Sequence, residues 1–390
     1  MATHRSGMKL QLFAVAGALT WAATMLGIRR SHRNTPDVDH EPPMTGDPPS
    51  VLAVVPVRNE ESNLGPCLDA LSASDYPRLR IHVVDDGSTD RTAQIALAAS
   101  LRDARIQVTT VAKPPAGWLG KNYALWRGTA GATDDWFLFL DADVRVAPSC
   151  LARATAAAER GRADLFTMAS RIETLGFWEI AVQAVIAHCL TLFFDPVKIN
   201  SPAYPRAAGA FGPFILFRRT AYETLGGHAA VRDQVVEDLR LAETVKAAGL
   251  RLVVARGVGL ASLRMYDSLS AIVRGWSKNA FIKRTKPNEI ATPPWAVPLS
   301  VTGVMVLYGS PWALLVLSLL HGDVSTIGTA ACAFGIAVIA QLDFARLYRI
   351  DARWPLLAPL GAIVTSWILV GAALRVACGK PARWKGRAVA

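Results

Sequence analysis

The sequence contains little cysteine and few charged residues. Its five cysteines are odd in number, lie at wide spacings and form no C-x-x-C pair, which argues against a disulfide framework and against a cysteine zinc site. We therefore expect the soluble part to lie in a reducing compartment. Only 19% of the residues are charged and 52% are hydrophobic, which is a high apolar share for a purely soluble protein.

No motif of a nucleic-acid-binding module occurs, although the formal net charge is +11. The basic residues do not alternate with aromatic residues in one stripe. Many of them instead flank the first and second apolar runs, namely Arg29, Arg30, Arg33, Lys283, Arg284 and Lys286. This placement is typical of the cytoplasmic flanks of membrane segments, and a basic protein also suits acidic small substrates. We expect no nucleic-acid partner.

An uncharged run of 19 residues, 10–28, is long enough to span a bilayer. The strong positive cluster follows this run, which favours a retained anchor over a cleaved signal peptide. Because positive flanks of membrane segments lie in the cytoplasm, this cluster predicts an N-terminus outside and the following chain in the cytoplasm. We predict an N-terminal membrane anchor at 1–33 and a proline-rich polar linker at 34–50.

Three further uncharged apolar runs lie near the C-terminus, at 295–320, 324–342 and 354–374. They predict three membrane segments within 291–378, followed by a basic tail at 379–390. Two observations leave the number of crossings open. Three crossings place the positive tail outside, and Gly309-Ser310-Pro311 interrupts the first run. A re-entrant or broken first segment is the alternative.

Short apolar runs alternate with amphipathic patterns between residues 51 and 290. Strands are predicted at 51–57, 81–86, 106–111 and 136–143, with helices between them, for example at 61–73 and 91–101. The nearly continuous apolar character of the runs indicates strands that are covered on both faces. The alternation of strands and helices predicts an α/β domain with a mainly parallel sheet.

Two stretches of this region each permit two interpretations. The apolar segment 177–194 is interrupted by Glu179, Gln183 and His188, and fits either a buried core helix or a helix in the membrane interface, near a lipid entrance. In 209–219, the glycines suggest a loop that closely approaches another group. The aromatic side chains of that stretch would then offer an apolar acceptor surface: Phe211, Phe214 and Phe217. A core strand is the alternative.

Polar and acidic residues follow three predicted strands where the strands end: Arg58, Asn59, Glu60, Asp85, Asp86, Asp141 and Asp143. In an open parallel sheet, ligands bind beyond the carboxyl ends of the strands. A strand points residues i and i+2 to one face, so Asp141 and Asp143 would stand together. Two such carboxylates repel unless a cation or a proton lies between them.

Carboxylates in this position suit a hard cation, Mg²⁺ or Mn²⁺, which also takes oxygens from a phosphorylated substrate. Simpler explanations exist for each pair alone. A solvated turn explains Asp141 and Asp143, and a helix cap explains 88–90 but leaves Asp85 unexplained. The convergence of three strand ends favours a common ligand site.

The motifs VVPVRNE, VVDDGSTD, LDADV and VVEDLRLA, in this order, resemble family 2 glycosyltransferases of the GT-A fold. The resemblance covers about residues 51–283. GWLGKNYAL, RMYDSL and RGWSKN resemble the membrane-bound subgroup that glycosylates polyisoprenoid lipids, first the carotenoid (diaponeurosporenoate-type) enzymes and second the hopanoid-associated ones. The resemblance implies that 51–290 is a GT-A nucleotide-sugar-binding domain with interfacial helices, between the N-terminal and C-terminal transmembrane helices.

The resemblance also implies residue roles. Nucleotide and donor binding would fall to Pro56, Arg58, Glu60, Asp85, Asp86, Lys121, Asp141, Arg274 and Trp276. Asp143 would be the metal ligand, and Asp141 would bind the ribose or the metal. Asp238 would be the general base, and Glu237 beside it would be a second catalytic carboxylate. An exposed lysine is the alternative for Lys121, and the preference of helix N-termini for acids also explains Glu237 and Asp238.

The segment 270–276, SAIVRGW, departs from the Q-x-x-R-W motif of processive polysaccharide synthases because the glutamine is missing. This departure weakens the processive interpretation. Arg274 and Trp276 could still serve the diphosphate and the acceptor, with Lys278 assisting. An amphipathic interface helix with snorkelling basic ends is the alternative.

The expected activity is inverting, metal-dependent transfer of a sugar from a nucleotide-sugar, by family resemblance a UDP-sugar, to a membrane isoprenoid-type lipid such as a carotenoid or hopanoid. The expected cofactor is Mg²⁺ or Mn²⁺. The expected location is the inner (plasma) membrane, multi-pass, with the catalytic domain in the cytoplasm. The alternatives are a synthase of a short polysaccharide or another glycolipid, and a catalytically silent membrane protein that binds nucleotide-sugars.

Overall fold

The computed structural model describes residues 2–44, 46–111, 113–280, 292–293, 295–378, 382–384 and 387–389. It divides into two compact units. The helical unit comprises the described residues of 1–34, 173–193 and 266–382, and the α/β unit comprises those of 35–172, 194–265 and 383–390. The basic residues Lys283, Arg284 and Lys286 lie outside the described residues, and the predicted domain boundaries stay predictions.

The described residues form thirteen α-helices, α1 to α13: Ala2–Asn34, Leu64–Ser72, Thr92–Arg102, Gly120–Gly128, Cys150–Arg160, Ala184–Phe193, Pro196–Asn200, Arg219–Thr224, Glu237–Ala247, Leu269–Asn279, Ala296–His321, Val324–Tyr348 and Trp354–Ala377. A π-helical turn, Glu179–Gln183, leads into α6. Short 3₁₀ helices occupy Val38–His40 and Gly227–Val231.

The described strands are β1 to β12: Val51–Val57, Leu79–Asp85, Ile106–Thr110, Trp136–Leu140, Val144–Val146, Leu165–Ala169, Arg171–Ile172, Phe214–Arg218, Leu252–Arg256, Ala261–Leu263, Ala382–Trp384 and Arg387–Val389. Seven of them form one sheet in the order β3-β2-β1-β4-β8-β6-β9. Its strands pair in parallel except at β8, which is antiparallel to both β4 and β6. The prediction of a mainly parallel α/β sheet is confirmed.

The carboxyl ends of β1, β2 and β4 lie side by side, because β1 pairs with β2 on one side and with β4 on the other. In the register, Val57 pairs with Asp85. The pairing with β4 ends at Val54, opposite Phe139. Pro56 has no N–H to donate and is tolerated in this central strand because it lies beyond the β4 ladder.

Alternating side chains of β1 enter two separate hydrophobic clusters. Val51 and Ala53 belong to one cluster, and Leu52 and Val54 belong to the other. All four are buried, as successive strand residues are when both faces of a sheet are covered. Burial of a large apolar side chain contributes about 1.5–3 kcal/mol relative to exposure. The buried side chains of β1 therefore stabilise the folded sheet.

Four helices of the helical unit are long and apolar enough to cross a membrane: Ser6–Asn34 of α1, then α11, α12 and α13. The Gly309-Ser310-Pro311 sequence does not break α11, which continues through it. Pro311 cannot donate a hydrogen bond to the carbonyl four residues earlier, on Leu307. The indole Nε1 of Trp21 donates to that carbonyl oxygen at 3.1 Å. A neighbouring helix thus satisfies the group that proline frees.

Helices α1 and α12 run in the same direction. Gln11 Nε2 donates to Ser325 Oγ at 3.0 Å near their N-terminal ends. Arg29 forms a bidentate ion pair with Asp343 near their C-terminal ends, with N–O distances of 2.8 and 2.6 Å. Two parallel helices that both span a bilayer must cross it in the same sense.

The segment 177–194 packs inside the helical unit as the π-helical turn followed by α6. Its polar side chains Glu179, Gln183 and His188 are all buried. His188 Nδ1 lies 2.6 Å from the hydroxyl of Tyr308 on α11. The burial agrees with the interpretation as a core helix, and a location at a membrane interface stays a prediction.

Candidate functional site

The acids after β4 lie in a turn rather than in the strand. The predicted strand 136–143 is too long, because β4 ends at Leu140 and the N–H of Val144 donates to the carbonyl of Asp141 at 3.1 Å. Strand alternation therefore does not place Asp141 and Asp143 on one face. Burial and then the charges of Asp141 and Glu60 raise the pKa of Asp143 to about 7.

The turn offers two carboxylates to a cation. Asp143 Oδ1 is buried and has no hydrogen-bond partner among the described residues. No group of three or more His, Cys, Asp or Glu side chains that could hold a metal occurs in the described part of the chain. Mg²⁺ typically binds through one or two carboxylates together with substrate phosphates. Asp141 and Asp143 fit a cation of this kind when a phosphorylated substrate supplies the remaining ligands.

Lys121, in the first turn of α4, connects the turn after β4 with the start of α9. Its Nζ lies 2.8 Å from Asp141 Oδ1 and 2.8 Å from Glu237 Oε1. The side chain is 38% exposed and is paired with two carboxylates, and its role at the donor stays a prediction. Burial opposes the charge, but the two carboxylates outweigh it and raise the pKa of Lys121 well above its ordinary value. The ammonium group is charged at neutral pH.

Asn122 holds the start of α4 against the segment that leads into α9. Its side chain is 1% exposed, and its Nδ2 donates to the carbonyls of Val231 at 2.8 Å and Gln234 at 2.9 Å. The N–H of Leu119 donates to Arg232 O at 2.8 Å. Sequence reasoning missed this anchor. The available signal was an amide side chain among apolar residues directly after Lys121.

The acid pair Glu237 and Asp238 opens α9. Asp238 Oδ2 accepts a hydrogen bond from Gly212 N–H at 3.0 Å, and Asp238 Oδ1 accepts one from Leu239 N–H at 2.8 Å. A helix N-terminus favours the carboxylate form. Burial and then the charge of Glu237 nevertheless raise the pKa of Asp238 to about 6. Asp238 is therefore a carboxylate poised near neutral pH, as a general base requires.

The loop after β1 is tied to the loop after β2. Arg58 Nη1 donates to the carbonyl of Asp86 at 2.6 Å and lies 3.8 Å from its carboxylate. Asn59, which has a φ of 51°, accepts a hydrogen bond from Thr89 N–H at 2.8 Å. The N–H of Glu60 donates to Thr92 Oγ1 at 2.7 Å. The predicted nucleotide-binding residues of the two loops thus lie together.

Strand β2 ends at Asp85, one residue before the predicted end. Asp85 Oδ1 accepts hydrogen bonds from Ser88 N–H at 3.0 Å and from Ser88 Oγ at 2.5 Å. Ser88 therefore closes the turn instead of capping the next helix. Asp90 is the residue whose carboxylate accepts from the N–H of Thr92, at 3.0 Å.

The stretch 209–219 contains both a loop and a strand, because β8 begins at Phe214. Phe214 and Phe217 are fully buried in the two hydrophobic clusters of the sheet. The prediction that they offer an acceptor surface is therefore wrong, and only Phe211 is partly exposed. The predicted close approach does occur, at Gly212 against Asp238.

Arg274 and Trp276 lie on α10 of the helical unit. Arg274 is exposed, while Trp276 is half-buried with its ring edge-on to Tyr266, at a centroid distance of 6.2 Å. Their assignment to the donor site stays a prediction.

A mainly parallel sheet with acids beyond three neighbouring strand ends is the arrangement of α/β domains that bind ligands at the carboxyl edge of the sheet. Residues 52–226 match the family model "Glycosyl transferase family 2". The match covers these residues alone, and the resemblance to family 2 glycosyltransferases seen in the sequence is confirmed.

Two curated relatives carry the name 4,4'-diaponeurosporenoate glycosyltransferase. The protein of Staphylococcus haemolyticus (strain JCSC1435) is 26% identical over 241 residues, which cover 59% of this chain and 60% of the relative. The protein of Staphylococcus aureus (strain USA300) is 25% identical with the same coverage. The chain therefore matches about 60% of the length of these relatives.

Among solved structures, the chain is similar to the mannosyltransferase PcManGT from Pyrobaculum calidifontis, determined in complex with GDP-Man and Mn²⁺. The TM-score is 0.52 at 20% identity, and the superposition covers 95% of this chain and 99% of that one. At this identity the likeness concerns the fold alone. It confirms the predicted GT-A-like α/β fold.

Proposed function

We propose that this protein is an inverting, metal-dependent glycosyltransferase that moves a sugar from a nucleotide-sugar to an isoprenoid-type membrane lipid such as a carotenoid or hopanoid. One observation carries this proposal. Lys121 contacts both Asp141 after β4 and Glu237 at the start of α9, beside Asp238. A donor-side acid and a buried base thus belong to one cluster, as group transfer between two bound substrates requires.

The donor nucleotide would lie at the carboxyl ends of β1 and β2. Pro56, Arg58 and Glu60 would line the base site, and Asp85 would hydrogen-bond the base with Asp86 beside it. Their loops are fixed to each other by hydrogen bonds, which supports a preformed site. The family resemblance implies a UDP-sugar as donor, with Arg274 and Trp276 of α10 contributing.

Asp143 and Asp141 would hold Mg²⁺ or Mn²⁺ together with the donor diphosphate. When bound, such an ion neutralises the negative charge that develops on the leaving diphosphate. The unpaired, buried Asp143 Oδ1 supports this assignment. Lys121 would place a second positive charge beside the same group, since its ammonium already lies 2.8 Å from Asp141.

Asp238 would act as the general base. The acceptor oxygen attacks the anomeric carbon from the face opposite the diphosphate, the bond from that carbon to the phosphate oxygen breaks, and Asp238 takes the hydroxyl proton. Attack from the opposite face inverts the configuration. A carboxylate acceptor has no proton to lose, so Asp238 would matter less for such a substrate.

The membrane helices and the names of the relatives support a lipid acceptor. Four described helices are long and apolar enough to cross a membrane. The matching Staphylococcus proteins are named for a carotenoid acid, 4,4'-diaponeurosporenoate. We place the protein in the inner (plasma) membrane as a multi-pass protein, with its catalytic domain on the cytoplasmic side.

Turnover in lipid vesicles tests the proposal. The purified protein receives Mn²⁺, radiolabelled UDP- and GDP-sugars, and isoprenoid lipid extracts. We expect label in the organic phase, lost with EDTA and in Asp143→Ala. Asp69→Ala is the matched control, because Asp69 is exposed on α2. Insoluble polymer in the aqueous phase would instead identify a polysaccharide synthase, and tight nucleotide binding without transfer would identify a silent protein.

A further inference from the structure

The turn 211–213 touches both acids that the proposed reaction requires. The N–H of Asp141 donates to the carbonyl of Pro213 at 3.2 Å. The N–H of Gly212 donates to Asp238 Oδ2 at 3.0 Å. Successive residues of one short turn therefore contact the backbone of the donor-side acid and the side chain of the proposed base.

The turn is anchored by Thr167 of β6, whose side chain is fully buried. Thr167 Oγ1 accepts a hydrogen bond from Phe211 N–H at 2.9 Å. The hydroxyl lies 3.0 Å from the carbonyl oxygens of both Phe211 and Phe214, to which it can donate. A further bond from Phe214 N–H to Phe211 O, at 3.1 Å, closes the turn. The turn is thus fixed to the sheet at both of its ends.

Only glycine fits at position 212 without moving the proposed base. A Cβ atom there would lie 2.7 Å from Asp238 Oδ2 and 3.2 Å from Asp238 Cγ. The first distance is shorter than real contacts allow, so either the turn or the carboxylate would have to shift. Because Thr167 fixes the turn, we expect the Asp238 carboxylate to move.

We propose that Gly212 and Thr167 are positioning residues that set the place of the Asp238 carboxylate relative to Asp141. This inference rests on the proposed function of Asp238 as the base. Misplacement of a reacting group by about 1 Å can slow an enzyme about a hundredfold, so the position of this carboxylate matters to the rate.

The hydrogen bond from Gly212 also stabilises the ionised base. Burial raises the pKa of Asp238 to about 6, and the bond from Gly212 N–H acts in the opposite direction. Weakening this bond should therefore raise the pKa further. More of the base would then be protonated at a given pH.

The test uses the full-length protein in vesicles with a hydroxyl-bearing isoprenoid acceptor and a saturating donor. For Gly212→Ala we expect kcat to fall about tenfold to a hundredfold. The donor KM should stay near its original value, and the acid limb of the kcat profile should move to higher pH. Gly65→Ala is the control, because a Cβ there meets only Ile95 Cγ2, at 3.8 Å.

Thr167→Val and Thr167→Ser test the anchor independently, including the case in which Gly212→Ala fails to fold. Valine keeps the shape and removes the hydroxyl, so kcat should fall, and serine should restore it. Unchanged kcat and pH profiles in Gly212→Ala, or in Thr167→Val if the first variant is unfolded, would overturn the inference. Full transfer by an Asp238→Asn variant would instead refute the assignment of Asp238 as the general base, and the inference with it.

Discussion

Asp143 and Asp238 are carboxyl groups whose burial works against their charge. Burial is the largest cause that raises the pKa of Asp143 to about 7 and of Asp238 to about 6, and a neighbouring carboxylate adds to it in each case. Perturbed groups of this kind cluster at functional sites, although structural networks also produce them. Lys121 contacts one acid of each pair, Asp141 and Glu237. Its positive charge lowers the pKa of both Asp143 and Asp238 and so opposes the effect of burial.

The raised pKa of Asp238 predicts the pH dependence of transfer to a hydroxyl acceptor. A general base works in its deprotonated form, so kcat should be high above the pKa of about 6 and fall as the pH decreases through it. Below that point the fall should be about tenfold per pH unit. The measurement is kcat against pH at saturating donor.

The control for this pH profile is Asp238→Asn. Its residual transfer should be about a hundredfold or more below that of the unchanged protein and should lose this acid limb, while nucleotide binding is retained. An acid limb that persists in the Asn variant would assign the titration to another group.

Lys121 should stabilise the fold as well as the site, because it neutralises Asp141 and Glu237. Lys121→Met leaves these two carboxylates without the ammonium group, and we expect Tm to fall by a few degrees. Glu237→Gln in the same chain should recover part of this loss, because it removes one of the uncompensated charges. Thermal unfolding of the two single variants and the double variant measures this coupling. Strictly additive Tm changes would mean that the ion pair between Lys121 and Glu237 contributes nothing to thermal stability.

At the scale of elements, α1 and α11 are joined by a hydrogen bond that Pro311 makes necessary. Trp21→Phe keeps an aromatic ring but leaves the carbonyl of Leu307 without the indole donor. Inside a membrane such a bond contributes about 1 kcal/mol, so we expect a lower Tm in detergent. The paired variant Pro311→Ala restores an N–H that can bond to Leu307 within α11.

In the Pro311→Ala background, Trp21→Phe should therefore lower Tm less than it does alone. An equal loss in both backgrounds would show that Trp21 acts only through its ring contacts with His188 and Tyr308.

At the scale of the whole molecule, the parallel direction of α1 and α12 limits the topology, and the orientation that the basic flank predicts stays a prediction. With the N-terminus outside, α1 crosses inward, and its parallel partner α12 must do the same. The number of crossings between two such helices must be odd, and α11 supplies one by returning the chain from the cytoplasm. This arrangement agrees with three C-terminal crossings and places the turn between α11 and α12 outside.

Cysteine labelling in cells tests this topology. Leu101, on α3, is 90% exposed, and Val324, at the start of α12, is 84% exposed. With Cys332 and Cys378 replaced by Ser, Val324→Cys should react with an impermeant maleimide in intact cells. Leu101→Cys should react only after the cells are permeabilised. The opposite pattern would reverse the orientation and place the α/β unit outside.

Local features of the fold were predictable from the sequence. The strand at 51–57 was predicted with its observed bounds, because an unbroken apolar run needs only local information. The end of β4 was placed too late, because the D-x-D acids continue the apparent strand pattern although a turn begins at Asp141. Phe214 and Phe217 were misassigned because their burial depends on β4 and β6, which pair with β8.

The sequence by itself determined the alternation of strands and helices, the long apolar helices and the acids at strand ends, because each depends on residues close together in the chain. Only the tertiary structure decided that Lys121 contacts Asp141 and Glu237, and that Gly212 contacts Asp238. These pairs are distant in sequence. Their contacts arise from the order and register of the strands, which bring α4, α9 and the 211–213 turn to the same edge of the sheet.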